Sequence, residues 1–231
     1  MAVLLLLLAA CDDPSLMGSL KQFYAPKKII LMPEIEGIWS AMPNPLQKGA
    51  KTNDRTVGLD KLDTTAVWTI RRQLEGTSVL KNRLGNDSVV YRMRDNYVVT
   101  MVNRDSSLSQ YSFEVTFFQI NKTVYADFYP SGNNTIQNSK LASDGHLKLH
   151  TLARVTRTSD GIALTWLSSK TVREMLEQKR VRLNYEWIPS IDRMVLTGSS
   201  AQLTDMLETY GDQQRFIDWE NQSAKLHLTQ L

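Results

Sequence analysis

From residue 88 onward the chain alternates. Val89, Tyr91 and Met93 are interleaved with Val90, Arg92 and Arg94, and after Asp95-Asn96 the rhythm resumes in Tyr97, Val99 and Met101. Side chains on a strand point to opposite faces in turn, so this period of two predicts two strands folded as a hairpin at Asp95-Asn96. Tyr111, Phe113, Val115 and Phe117 repeat the pattern against Ser112, Glu114 and Thr116, and Asn121-Lys122 turns the chain into Val124, Ala126 and Phe128. A second hairpin is expected there. Pro130 to Asp144, rich in Ser, Asn and Gly, reads as a loop; Leu147 to Val155 and Ile162 to Leu167 read as two more strands joined at Ser159-Asp160-Gly161.

Two stretches change period. Ser168 or Ser169 can cap a helix carrying Val172, Met175 and Leu176 on one face. Ser199 and Gln202 have capping-box spacing ahead of Leu203, Met206, Leu207 and Tyr210, and Gly211 is a natural stop. Met194 to Thr197 and Lys225 to Thr229 are expected to be the closing strands. Between Ala41 and Gly85 the pattern is weaker: Thr65 to Ile70 suits a strand around Val67 and Trp68, whereas Leu74 to Leu84 fits helix and strand equally.

Consecutive hairpins with short turns describe a meander, and a meander of this length removes its exposed edges most simply by curling into an up-and-down antiparallel β-barrel. The expected fold is therefore mainly β, a barrel with two short helices. With 231 residues, 42% hydrophobic and 22% charged, the chain suits one well-buried domain. A net charge of +3 spread along it, with no dense Lys/Arg run, argues against nucleic acid as a partner.

The start of the chain is different in kind. Met1 to Ala10 is apolar throughout and meets the only cysteine in the order Leu8-Ala9-Ala10-Cys11. That run is about half the ~20 residues a membrane-spanning helix needs, so it reads as the hydrophobic part of a signal peptide. The order resembles a bacterial lipobox. The resemblance implies cleavage before Cys11, a diacylglycerol thioether on its sulfur and usually a further acyl chain on its amine, a firm anchor at about 0.8 kcal/mol per buried methylene. No Lys or Arg precedes the apolar run, so whether Met1 is the true start stays open. An ordinary signal peptide followed by a chance cysteine is the alternative.

On this reading residues 1–10 are a signal peptide, 11–33 a lipidated tether and 34–231 the barrel domain, held outside the cytoplasm at a bacterial membrane. Asp12-Asp13 does not decide which membrane. A lone cysteine allows no disulfide within the chain, and the sequons at Asn86, Asn121, Asn133 and Asn221 are incidental in a bacterial protein.

Gly37-Ile38-Trp39, at the head of the first expected strand, resembles the Gly-x-Trp that opens the lipocalin barrel, where the Trp plugs the closed end. The stretches Val124 to Pro130, His150 to Val155 and Leu196 to Leu203 resemble a broad group of uncharacterised bacterial lipocalin-like lipoproteins. The likeness runs over residues 34 to 231 and implies a calycin-type barrel with a helix beside it. It implies no common activity, and the later lipocalin motifs are not evident.

Candidate chemistry is sparse. His146 and His150 share a strand face with Lys148 between them, but no third ligand stands at metal-site spacing, and an exposed polar face is the plainer reading. His227 is read as ordinary. Asp127 would have a raised pKa if it pointed into the barrel; outward alternation with Tyr125 and Tyr129 is the preferred reading. Neither a Gly-x-Ser-x-Gly nucleophile signature nor a phosphate loop occurs. Neither an enzyme nor a cofactor is called for. Trp39, Tyr91, Tyr97, Tyr111, Phe113, Phe117, Phe128 and Trp166 are the candidate lining of a ligand pocket. The same side chains would equally fill a solid core, and periodicity does not separate the two.

The leading expectation is a lipid-anchored cell-envelope barrel that binds a small apolar molecule. The alternative is a structural or interaction lipoprotein whose packed barrel docks other envelope proteins, and a third is an enzyme built in the barrel mouth.

Overall fold

The structure, a computed structural model, describes residues 17–43, 67–81, 87–102, 110–131, 148–167, 169–188, 193–212 and 225–231. Its strands are β1 (Gly18–Ser19), β2 (Gly37–Pro43), β3 (Val67–Lys81), β4 (Asp87–Val102), β5 (Gln110–Ile120), β6 (Thr123–Pro130), β7 (His150–Arg157), β8 (Gly161–Trp166), β9 (Tyr185–Ile188), β10 (Arg193–Leu196) and β11 (Lys225–Gln230). Two α-helices accompany them among the described residues, α1 (Ser169–Glu177) and α2 (Ser200–Tyr210).

Strands β2 to β8 pair antiparallel in sequence order, and β11 joins β8 back to β2, closing a barrel of eight strands. The expected mainly β, up-and-down barrel with two short helices is the observed architecture. Alternation sorts side chains to the two faces of its wall. Trp39, Trp68, Val99, Val115, Phe117, Ala126, Phe128, Val155, Leu164, Trp166 and Leu228 belong to one core. Phe118, Ile120, Tyr125 and Leu152, one residue out of phase, belong to another, together with Met17, Phe23, Met194, Leu196 and the apolar faces of both helices.

The second core exists because the outer wall is covered. The β7 strand forks the sheet: its later residues pair with β8, while Thr151 and His150 pair with Gly18 and Ser19 of β1. From β1 a branch leads in parallel pairing to β10 and then to β9. Beyond β1 the chain crosses β6 at Phe23 and bridges β5 at Ile29. It then turns in over the head of β2, where Met32 and Ile35 enter the barrel core. This strap, from Met17 to Glu36, corrects the expected tether. From residue 17 the chain is packed, with Met17 and Phe23 at 0% exposure, because the apolar outer faces of β5, β6 and β7 need a cover and the strap's hydrophobic residues supply it.

Two smaller expectations also shift, and one open alternative is resolved. Asp95-Asn96 is not a turn: β4 runs through it from Asp87 to Val102, and the pairing with β3 slips there, between Arg72↔Tyr97 and Leu74↔Met93. Three residues of β4 oppose one of β3, a bulge in which Arg72 Nε donates to the Arg94 carbonyl (2.9 Å). Leu74 to Lys81 is strand. Of the two expected closing strands, β11 closes the barrel, whereas β10 lies on the side branch.

Other local signals act as expected. Asn121-Lys122 is the two-residue turn between β5 and β6, with Asn121 at φ 54°. Ser199 Oγ accepts from the Gln202 N–H, and Gln202 Oε1 accepts from the Ser199 N–H (2.9 Å), completing the capping box of α2. Gly211 ends that helix in the right-handed region (φ −56°), so handedness is not why it is glycine: a Cβ there would collide with the Tyr125 hydroxyl and the Leu207 carbonyl.

Candidate functional site

Six of the eight expected pocket residues meet inside the barrel: Trp39, Tyr97, Phe113, Phe117, Phe128 and Trp166. Tyr91 and Tyr111 lie on β4 and β5, with side chains outside the described residues. Five of the six pack ring against ring. Phe128 sits at the centre, its ring 4.6 Å from Trp166, 6.2 Å from Phe113 and 6.3 Å from Trp68, and Tyr97 meets Phe117 edge-on at 5.2 Å. Such tilted and edge-to-face pairs contribute about 0.5–1.5 kcal/mol each beyond burial.

One end of the interior is plugged by the strap. Gly37 has φ 144°, a backbone that favours glycine, and swings the chain into β2. Trp39, two residues on, donates from Nε1 to the Ile35 carbonyl (2.8 Å), and the Met32 N–H donates to the Tyr97 hydroxyl (2.9 Å). Burial is the chief reason the Tyr97 phenol titrates above its ordinary range. Trp68 differs from these neighbours. Its indole N–H is buried in the interior with no acceptor among the described residues, an arrangement that native proteins seldom tolerate.

On the outer wall, strap, barrel and branch converge on Asp127. Its side chain points outward, as expected, yet it is only 2% exposed. The Phe23 N–H donates to Oδ2 (3.1 Å), and His150 Nδ1 lies 2.9 Å from Oδ1. The His150 ring stacks on Tyr129, centroids 4.5 Å apart. Burial pushes the Asp127 carboxyl above the usual range, opposed by its bonds to His150 and Phe23. When Asp127 is ionised, His150 Nδ1 must be the donor. Ser19 stands opposite His150 across the β1–β7 pair. Acid, histidine and serine thus occupy neighbouring outward positions, an association no local motif announces.

The trio is nevertheless built as a fastening. Ser19 is at 0% exposure and its Oγ already accepts from the Lys21 N–H (3.1 Å), so no substrate reaches it as a nucleophile. What the group does chemically is lock the strap: a buried carboxylate takes a backbone N–H from one side and an imidazole from the other. At the far side of the strap, Lys28 pairs with Glu208 of α2 (2.7 Å), and that bond holds Glu208 below the usual carboxylate range. His150 is thereby spoken for as Asp127's partner, not as part of an exposed polar face. His146 and Cys11 lie outside the described residues; His227 is on β11, its side chain likewise outside them. Among the described residues no cluster of three His, Cys, Asp or Glu side chains could hold a metal.

Two open grooves mark the outer surface. One, of about 340 Å³, runs where the β3–β4 hairpin leaves β5 and is bordered by Tyr24, Ile29, Glu75, Met93 and Thr116. The other, of about 350 Å³, lies between α1 and the β9–β10 pair and is bordered by Arg173, Leu176, Glu177, Tyr185, Trp187 and Met194. Neither opens on the aromatic core. No helix among the described residues is long and apolar enough to cross a membrane. Comparison with known proteins finds no matching family model, no matching curated protein and no matching solved structure.

Proposed function

We propose that this chain is a lipid-anchored cell-envelope protein whose barrel is a solid body and whose outer surface engages other envelope components, that is, an interaction module and not a carrier. The observation that carries this reading is the packed interior: rings contributed by β3, β5, β6 and β8 meet each other, and Met32 and Ile35 fill the end under the strap. Leu8-Ala9-Ala10-Cys11 supports the anchor. The locked strap supports a mechanical role, because a pull on an anchored N-terminus would meet β1, held between β7 and β10, before it reached the Asp127 fastening.

The test is native mass spectrometry of the protein purified from its own host. A chain without an apolar molecule at stoichiometric ratio is expected; a stoichiometric one overturns the solid-body reading. The orphaned Trp68 Nε1 favours that second reading, a small apolar ligand carrying one acceptor atom. Loss of the bound mass in Trp68→Phe would then identify the indole as its donor.

A further inference from the structure

We infer that the Tyr185–Trp187 edge of the branch sheet is a membrane-contacting rim, seated in the headgroup region of the same bilayer that holds the anchor; this rests on the proposed lipid at Cys11. The second core runs out of cover here. Met194 and Leu196 of β10 are buried beneath the helices, but their partners across the pair, Trp187 and Tyr185 of β9, are 43% and 50% exposed. The strand β9 ends the branch, and its two aromatic side chains share a face because they are two residues apart. Aromatic residues with a polar tip and an apolar body are the ones that concentrate at bilayer interfaces.

The course of the chain selects the bilayer as occupant. The β1 strand is parallel to β10, with Gly18 opposite Val195 and Ser19 opposite Leu196. Going backwards from Gly18, the chain therefore heads toward Met194, which is the Trp187 end of β9. Cys11 is seven residues before Gly18, a span of at most about 25 Å, and β9 lies two strands from β1, about 10 Å away. A lipid on Cys11 would therefore keep the β9 edge within reach of the surface.

The chemistry of the groove fits headgroups more than net charge. The Arg173 guanidinium lies 5.2 Å over the Trp187 ring, so a cation that suits a phosphate stands beside an indole that suits the apolar boundary. Glu177 borders the same groove, so contact should depend little on the fraction of anionic lipid.

The test uses the full chain as purified with its lipid, reconstituted in vesicles of phosphatidylethanolamine and phosphatidylglycerol whose acyl chains are brominated near the headgroup. Wild-type emission should fall by about the share of one tryptophan among five, and Trp187→Phe should lose that fall while keeping its melting temperature. Equal quenching of the two proteins overturns the rim. The intact mass of the same sample tests the anchor separately: absence of acyl mass on the chain overturns the lipid at Cys11, whereas the quenching difference still decides the rim.

Discussion

The barrel has two cores separated by one layer of backbone, and they are built in opposite ways. The inner core is assembled mostly from neighbours: each hairpin delivers its apolar face to the same interior, and the aromatic rings of β3, β5, β6 and β8 meet there. The outer core is assembled from strangers, joining Met17 and Phe23 to Leu152, Leu196 and Leu203. Inside, van der Waals packing does nearly all the work; outside, the join is pinned by a buried carboxylate. A barrel wall that is apolar on both faces needs a cover, and a cover drawn from the start of the chain needs a polar fastener to fix where it lies.

The largest expected effect is inside. Trp166→Ala removes a 2%-exposed side chain in contact with Phe128 and should cost about 3–5 kcal/mol in denaturant unfolding. A loss under about 1 kcal/mol would mean that the interior is not packed as described.

Outside, Asp127→Ala leaves the Phe23 N–H and His150 without their acceptor and should cost about 1–3 kcal/mol. Hydrogen exchange should quicken first in the strap. Asp127→Asn keeps an acceptor and should differ from wild type chiefly in pH dependence. Because the folded-state pKa of Asp127 is raised, its contribution is fully present below the ordinary carboxylate pKa and declines as pH rises toward the folded value. Across that window the wild type should lose stability relative to Asp127→Asn, and parallel curves would show that the carboxyl does not titrate in the fold. The smallest effect belongs to the cap: Ser199→Ala should cost about 1 kcal/mol, read as a shift in the unfolding midpoint with an unchanged slope.

The inner core was legible in the sequence because its signals are local. Tyr111 to Phe117, Asn121-Lys122 and Val124 to Phe128 spell a strand, a turn and a strand within 18 residues. The outer core was not. Asp127 stood out as an acid among apolar residues, but its donor Phe23 is 104 residues away and His150 is 23 away. The warning lay in the runs themselves: Tyr125 to Phe128 and Ile162 to Trp166 are buried without interruption, as strands covered on both faces are. Asp95-Asn96 misled for a different reason. The residue pair that favours a turn equally suits a bulge, and only the partner strand decides between them.

The fork at β7 has a consequence for the order in which the molecule can be made. The strap is completed first by any chain that emerges from its N-terminus, yet Ser19 pairs with His150 and Leu196, and Phe23 waits for Asp127. Contacts of such long sequence separation form slowly. The leading segment therefore remains undocked until β7 and β10 have been delivered, so the outer core is closed after the meander that it covers.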